Sequence, residues 1–355
     1  MYWIGQSRKG NLNPTVSFRI IMTPTEALTV YNSTPYFVQF FFWPSISNQI
    51  VLAMRKYFTL ISCLVVSPVT LVINAPFGRF APQTDGSNSG LLQTLFNHPS
   101  LFINGQLSWV LMEIFAPAFF ILAYFSAPLN SVEFIPNHSL RLVLLPLLFL
   151  THYLNRALIS PLVLTPSRSK SHIVVPLVGI MFNVTNGSLL GSYLSSESAI
   201  SYVIHQKTTR TFWLGVVLWF IGFVGNIYHD EILFSIRRKA KSKGKYKEES
   251  GEHYAIPTGG LYTFISYPNY LCEWLEWFGF AIAAAPFPFP TNITPSSLLT
   301  SPSQLWLPSL TPPYIFLINL IFLMLPRAYR GHQWYNLRFG DKYPKERRAV
   351  IPFVL

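Results

Sequence analysis

Apolar runs long enough to cross a lipid bilayer dominate this chain and leave little room for any other architecture. A spanning helix needs roughly 20 mostly apolar residues. Such runs recur at 57–75, 107–125, 140–164, 173–194, 211–228, 261–286 and 314–329. Backbone polar groups in hydrocarbon can pair only with one another, so runs of this kind fold as helices. The expected fold is an all-α integral membrane protein of about seven transmembrane helices. Residues 57–355 would form that domain, and residues 1–56 an N-terminal extension with no clear signal-peptide pattern. Within the extension, YFVQFFFW (36–43) reads as an interfacial or partial membrane segment.

Charge agrees with the apolar runs. Only 11% of residues are charged, against about 25% in soluble domains. Much of the surface therefore does not face water. The net charge is +12. In a membrane protein this reflects basic loops on the cytosolic side and suits an anionic cofactor; it does not call for nucleic acid. Cys63 and Cys272 both lie in apolar runs. They provide no disulfide framework and no zinc site, and read as small buried hydrophobes.

The loops set an orientation. Residues 237–247 carry seven Lys and Arg side chains, and the tail carries Lys342, Lys345, Arg347 and Arg348. The connection 287–312 has no charged residue. Two spans separate the basic segments, so both fall on one side. The positive-inside rule puts them in the cytosol and 287–312 in the lumen. Counting back places the N-terminus in the lumen, with Arg55 and Lys56 on the side the rule disfavours.

Several polar groups interrupt the apolar runs. Glu113 lies in SWVLMEIFAPAFF. A carboxyl at that depth faces a cavity, pairs with a cation, or stays protonated. Trp109, four residues earlier, shares its helical face. Tyr153 sits in FLTHYLNRAL among His152, Asn155 and Arg156, which marks a helix end or a wet interior equally well. Asn226, Asp230 and Arg237 in GNIYHDEILFSIRRK fall on one face by their offsets. An amide, a carboxylate and a guanidinium there can bind a ribose and a phosphate; an ordinary solvated helix exit would look the same. Asn269 and Glu273 in SYPNYLCEWLEW are again four apart. Arg327, Arg330 and Tyr335, with His332 beside them, form a basic and aromatic juxtamembrane patch of a kind that also binds lipid phosphate. No GxGxxG after a strand, Walker motif, HExxH or nucleophile elbow is present, so a bound dinucleotide would not use a Rossmann unit. From the residues alone, a helical membrane enzyme and a transporter or lipid-binding protein with a polar interior both remain open.

Particular segments go further. They are GNIYHDEIL (225–233), YAIPTGGLYTFISYPNYLCEWLEWFGFAIA (254–283), PRAYRGHQWY (326–335) and YPKERRAVIPF (343–353), with WVLMEIF (109–115), THYLNRAL (151–158) and FNVTNGSLLGSYL (182–194) upstream. Together they resemble the steroid 5α-reductase family over roughly residues 105–355. The resemblance implies a seven-helix membrane fold with NADPH along its cytosolic half and a steroid or similar flat lipid entering from the bilayer. It implies a monomer of the endoplasmic reticulum membrane. Its cofactor contacts would fall on Asn226, Asp230, Arg237, Tyr254, Asn269, Glu273, Arg327 and Tyr335. Its catalytic pair would be Glu113 and Tyr153, and Trp109 and Phe182 would line the substrate pocket. The implied reaction is hydride addition to the β-carbon of a 3-oxo-Δ4 enone, with Tyr153 and a protonated Glu113 donating to the carbonyl oxygen. Met112, Ala255 and Gly331 depart from the family pattern: steroid enzymes carry Gln before the Glu, Arg after the Tyr, and a histidine run after the Arg. Reduction of a trans-2-enoyl-CoA or of a polyprenol-type lipid is the neighbouring possibility within the family.

Overall fold

The computed structural model describes residues 58, 65–72, 98–130, 139–166, 168–205, 209–242, 254–288 and 310–354. The N-terminal extension, with its 36–43 segment, lies outside them. So do most of the 57–75 run, Cys63, and most of the 287–312 connection. Eight α-helices are described: α1 Ser67–Val72, α2 Gly105–Ser126, α3 Leu140–Tyr153, α4 Val174–Leu194, α5 Glu197–His205, α6 Thr209–Ser242, α7 Pro268–Ala284 and α8 Pro312–Phe339. The sheet among the described residues is one antiparallel pair, β1 Phe102–Ile103 against β2 Ser171–His172.

Five of these helical segments are long and apolar enough to cross a membrane: α2, α3 with its continuation to Leu164, α4, α6, and α8 with the turn after it. Their outward faces carry Phe125, Leu147, Val163, Met181, Phe220 and Val224 exposed. Their inward faces bury Glu113, His152, Asn183, Asn186 and Asn226, and α7 adds the buried Glu273 and Glu276. Apolar outside and polar inside is the pattern of a bundle whose solvent is lipid.

The helices depart from the apolar runs in length. The run at 211–228 becomes a helix of 34 residues, about 51 Å at 1.5 Å per residue. That exceeds a hydrocarbon core of about 30 Å, so its basic end projects beyond the bilayer. The run at 261–286 contracts to a helix of 17 residues starting at Pro268. Pro favours the first helical position and disfavours helix in the residue before it. Upstream of it, Gly259 and Gly260 take φ of 98° and 54°, a left-handed conformation natural to glycine. A side chain on Gly260 would also strike the His229 ring.

Two helix pairs approach closely through glycine. Gly215, Gly222 and Gly279 bring the α6 and α7 backbones together: a Cβ on Gly222 would lie 2.3 Å from Glu276 N. Gly187 and Gly191 do the same for α4 against the carbonyls of Ala116 and Phe120 on α2. Small residues are the usual means of close helix association in lipid. These two pairs fix the walls between which the polar side chains meet.

Candidate active site

The polar side chains converge on one cavity of about 480 Å³. Every site residue expected from the sequence lines it except Asn226. Asn226 turns inward instead. Its Nδ2 donates to Asn269 O at 3.0 Å and to Glu273 Oε2 at 3.2 Å, so it braces two lining residues. Asp230 accepts from Asn269 Nδ2 at 3.0 Å. The face that the offsets predicted on α6 is thus shared between the cavity and the α6–α7 seam.

Tyr153 owes its place to a change of helical pitch. α3 ends at Tyr153, and Leu154–Leu164 continues with a wider turn; Thr165 N donates five residues back, to Ser160 O, at 2.9 Å. Such widened turns recur at functional sites. Arg156 follows in this turn. Its Nε lies 3.4 Å from Glu113 Oε1 and its NH1 3.6 Å from Glu273 Oε2. Glu113 therefore has a cation beside it and shares that cation with Glu273.

Two amides of α4 complete this wall. Tyr153 OH donates to Asn183 Oδ1 at 3.4 Å, and Asn186 Nδ2 donates to Tyr153 OH at 3.1 Å. Asn183 Nδ2 donates to Met112 O at 2.7 Å and reaches Glu113 Oε2 at 3.5 Å. Asn183 so stands between the Tyr153 hydroxyl and the Glu113 carboxyl. Met112 and Phe182 line the cavity beside them with Val178, Gly179 and Phe316. Arg168, Arg237, Arg327 and Arg330 line the same cavity as this apolar part.

Trp109 lines the cavity with its ring covered by two guanidinium groups, Arg156 at 4.7 Å and Arg168 at 4.1 Å from the centroid. Its Nε1 donates to Arg156 O at 3.1 Å. Burial, and then the charge of Arg237, pull the Arg168 pKa down to about 9. The group stays cationic at neutral pH, with Asp230 and Glu113 partly offsetting the effect of the neighbouring arginines. Its Nε is buried without a hydrogen-bond partner among the described residues. Asn269 Oδ1 is likewise buried and unpartnered. An unpartnered guanidinium N–H and an amide oxygen lacking a donor, among the described residues, fit a nicotinamide dinucleotide phosphate, which brings phosphate oxygens and a carboxamide N–H.

The segment before α7 is held from two sides. His229 Nε2 accepts from Leu261 N at 3.0 Å, so its Nδ1 carries the proton and donates to Gly225 O at 2.6 Å. The C-terminal tail pairs in parallel through Ile265 and Arg348, with Ser266 N donating to Arg348 O at 2.9 Å and Tyr267 N to Ala349 O at 3.0 Å. Ser266 Oγ also lies 2.6 Å from both His332 Nδ1 and Tyr343 OH. Asn336 Nδ2 reaches His332 Nε2 at 3.0 Å, which makes Nδ1–H the donor to Ser266. Tyr335 stacks on Tyr343 at 5.4 Å, and Tyr254 meets Trp334 edge-on at 4.8 Å. The YPKERRAVIPF tail thereby anchors the loop leading into α7, the helix that carries Asn269 and Glu273.

Sequence reasoning missed Asn183, Asn186, Arg168 and His229 as members of this assembly. Arg156 was visible as one of the polar flanks of Tyr153. A second buried pair, His152 Nδ1 with Glu276 Oε1 at 2.7 Å, packs against Tyr153 and Trp277, and His152 itself lines the cavity.

The family model described as 3-oxo-5-alpha-steroid 4-dehydrogenase matches residues 169–291 and 305–355. An uncharacterised protein of Schizosaccharomyces pombe is 36% identical over 84% of this chain and 98% of its own length. The rat 3-oxo-5-alpha-steroid 4-dehydrogenase 1 is 30% identical over 80% of this chain and 87% of its own length. The tomato steroid 5-alpha-reductase DET2 is 29% identical over 58% and 66% respectively.

Proposed function

The chain belongs to the 3-oxo-5-alpha-steroid 4-dehydrogenase family, and on that premise we propose that it uses NADPH to reduce the double bond conjugated to the ketone of a 3-oxo-Δ4 steroid or a similarly flat lipid. It is an oxidoreductase acting on CH–CH bonds. The observation that carries the finer reading is the meeting of Tyr153 and Glu113, across Asn183, on one wall of the cavity that the cofactor residues also line.

NADPH, when bound, supplies the hydride that adds to the β-carbon of the enone. Arg168, Arg237, Arg327 and Arg330 would hold its phosphates, and Asn269, bonded to Asp230 and braced with Glu273 by Asn226, would hold its carboxamide end. Tyr153 donates its hydroxyl proton toward the substrate carbonyl oxygen, where negative charge develops. Donors already aimed at such an oxygen stabilise the transition state without reorganising. Glu113 is the second donor. Arg156 lies between Glu113 and Glu273 and holds both carboxyls at the wall beside Tyr153. The apolar half formed by Met112, Val178, Gly179, Phe182 and Phe316 suits a flat hydrocarbon and excludes water from the developing charge.

We propose the endoplasmic reticulum membrane as its location from the family resemblance, and the positive-inside rule supports a tail in the cytosol. A cysteine placed in 287–312 should then resist a membrane-impermeant thiol reagent added outside sealed microsomes. Labelling there would reverse the orientation.

The test of function is NADPH oxidation by the purified protein offered, separately, a 3-oxo-Δ4 steroid, a trans-2-enoyl-CoA and a polyprenol-derived enone. Turnover on the steroid supports the reading. Turnover on the enoyl-CoA alone would move the protein to the neighbouring chemistry of the family.

A further inference from the structure

The hydroxyl of Tyr153 has two amide neighbours with different roles. Asn183 lines the cavity and accepts the phenolic proton at 3.4 Å. That distance is beyond the usual range for a hydroxyl donor, so an incoming carbonyl oxygen can take the place of Asn183 at little cost. Asn186 does not line the cavity. It is 1% exposed, one helical turn further along α4, and gives its Nδ2 proton to the phenol oxygen at 3.1 Å. An acceptor bond at the oxygen from behind leaves the phenol's own proton directed forward, into the cavity. The neighbouring Gly187 seats α4 directly on the Ala116 carbonyl, which fixes the height of the Asn186 amide relative to α2.

We propose that Asn186 is a positioning residue for the reduction, acting only through the Tyr153 hydroxyl. It sets the direction of the Tyr153 proton. It also stabilises the negative charge that gathers on the phenol oxygen as that proton is drawn toward the substrate. The bond strengthens as charge develops, so its effect falls on the chemical step and not on ground-state binding. This inference rests on the enone-reductase reading above. Among the described residues Asn186 is the side chain that donates to the Tyr153 oxygen, so removing its amide leaves that direction unset.

The test is a double-mutant cycle on the purified full chain, read as single-turnover reduction of a 3-oxo-Δ4 steroid with NADPH saturating. Asn186→Leu keeps the volume and removes the donor. It is expected to slow reduction about 10- to 100-fold, the range for losing a hydrogen bond to a charged group, with NADPH affinity and substrate KM unchanged. In a Tyr153→Phe background the same substitution should have no further effect, since the hydroxyl through which it acts is gone. A full additional slowing in that background, or an undiminished rate in Asn186→Leu alone, overturns the proposal. A second readout needs no turnover: 3-fluorotyrosine placed at 153 should show its ¹⁹F resonance displaced by Asn186→Leu. An unmoved resonance overturns the hydrogen bond while leaving the reaction standing. Wild-type protein that reduces no enone removes the reaction instead, and this role with it.

Discussion

Arg156 Nε stands 3.4 Å from Glu113 Oε1, and the same guanidinium reaches Glu273 at 3.6 Å. One cation thus ties the widened turn after α3 to α2 and α7, the helices carrying the second proposed proton donor and part of the cofactor wall. Arg156→Met should leave two buried carboxyls without their cation. Breaking buried pairs in this way costs about 3–5 kcal/mol. Thermal unfolding of the detergent-purified protein, followed by size-exclusion chromatography, checks this. A variant that melts with the wild type would show that the bridge does not hold the fold.

His152 and Glu276 form a second pair, with Glu276 at 0% exposure and its Oε2 unpartnered among the described residues. Removing one member leaves the other buried alone, whereas removing both leaves an apolar seam. Glu276→Leu and His152→Leu should each lower the melting temperature, and the double variant should recover much of the loss. Simple addition of the two losses would mean that the pair is not coupled.

The membrane fold was legible because bilayer thickness imposes its own length on the sequence. Five described helical segments fall on the apolar runs, although α6 and α8 extend past them and α7 is cut short at Pro268. The lining residues of α6 and α7 were legible as i, i+4 pairs and through the family resemblance. Asn183 and Asn186 were not, because an amide in a membrane helix reads as generic glue between helices until its partner is known. The partners here are distant in sequence: Tyr153 lies on α3 and Glu113 on α2. The same holds for His152 and Glu276, which are 124 residues apart. The widened turn after Tyr153, which helps carry Arg156 into the cavity, has no periodic signature in LNRALISPLVL. Arg168 follows the apolar run as one of several loop cations and becomes distinct only over the Trp109 ring.

The cofactor wall can be tested without substrate. Asn269→Ala and Arg237→Ala are expected to weaken NADPH binding about 10- to 100-fold, the range for losing a charged hydrogen-bond partner. Arg168→Ala should act in the same direction, and should weaken NADPH more than NADH if its guanidinium meets the 2′-phosphate. Fluorescence titration of reduced nicotinamide against the folded variants measures this. Unchanged affinity in all three would remove them from the site.

Glu113 and Tyr153 should separate a chemical role from a structural one. Tyr153→Phe removes one donor and little volume, and should slow turnover on the order of 10²- to 10³-fold, as loss of a single such donor does elsewhere. Glu113→Gln keeps an amide donor and should lose less than Glu113→Leu, which keeps none. A carboxyl whose role is only to pair with Arg156 predicts similar losses for Gln and Leu, since both remove the charge. Single-turnover rates at saturating NADPH give the ranking.

The central claim is hydride transfer to the β-carbon of a conjugated enone, and isotopic labelling tests it most directly. Purified protein is given a 3-oxo-Δ4 steroid with NADPH deuterated at the transferring carbon, and the product is located by mass spectrometry and NMR. Enone reduction at this site predicts a saturated ketone with one deuterium at the β-carbon and a proton from solvent at the α-carbon, formed at a sharply lower rate by Tyr153→Phe. Recovery of unreduced steroid, or deuterium at the carbonyl carbon of an alcohol, would contradict it.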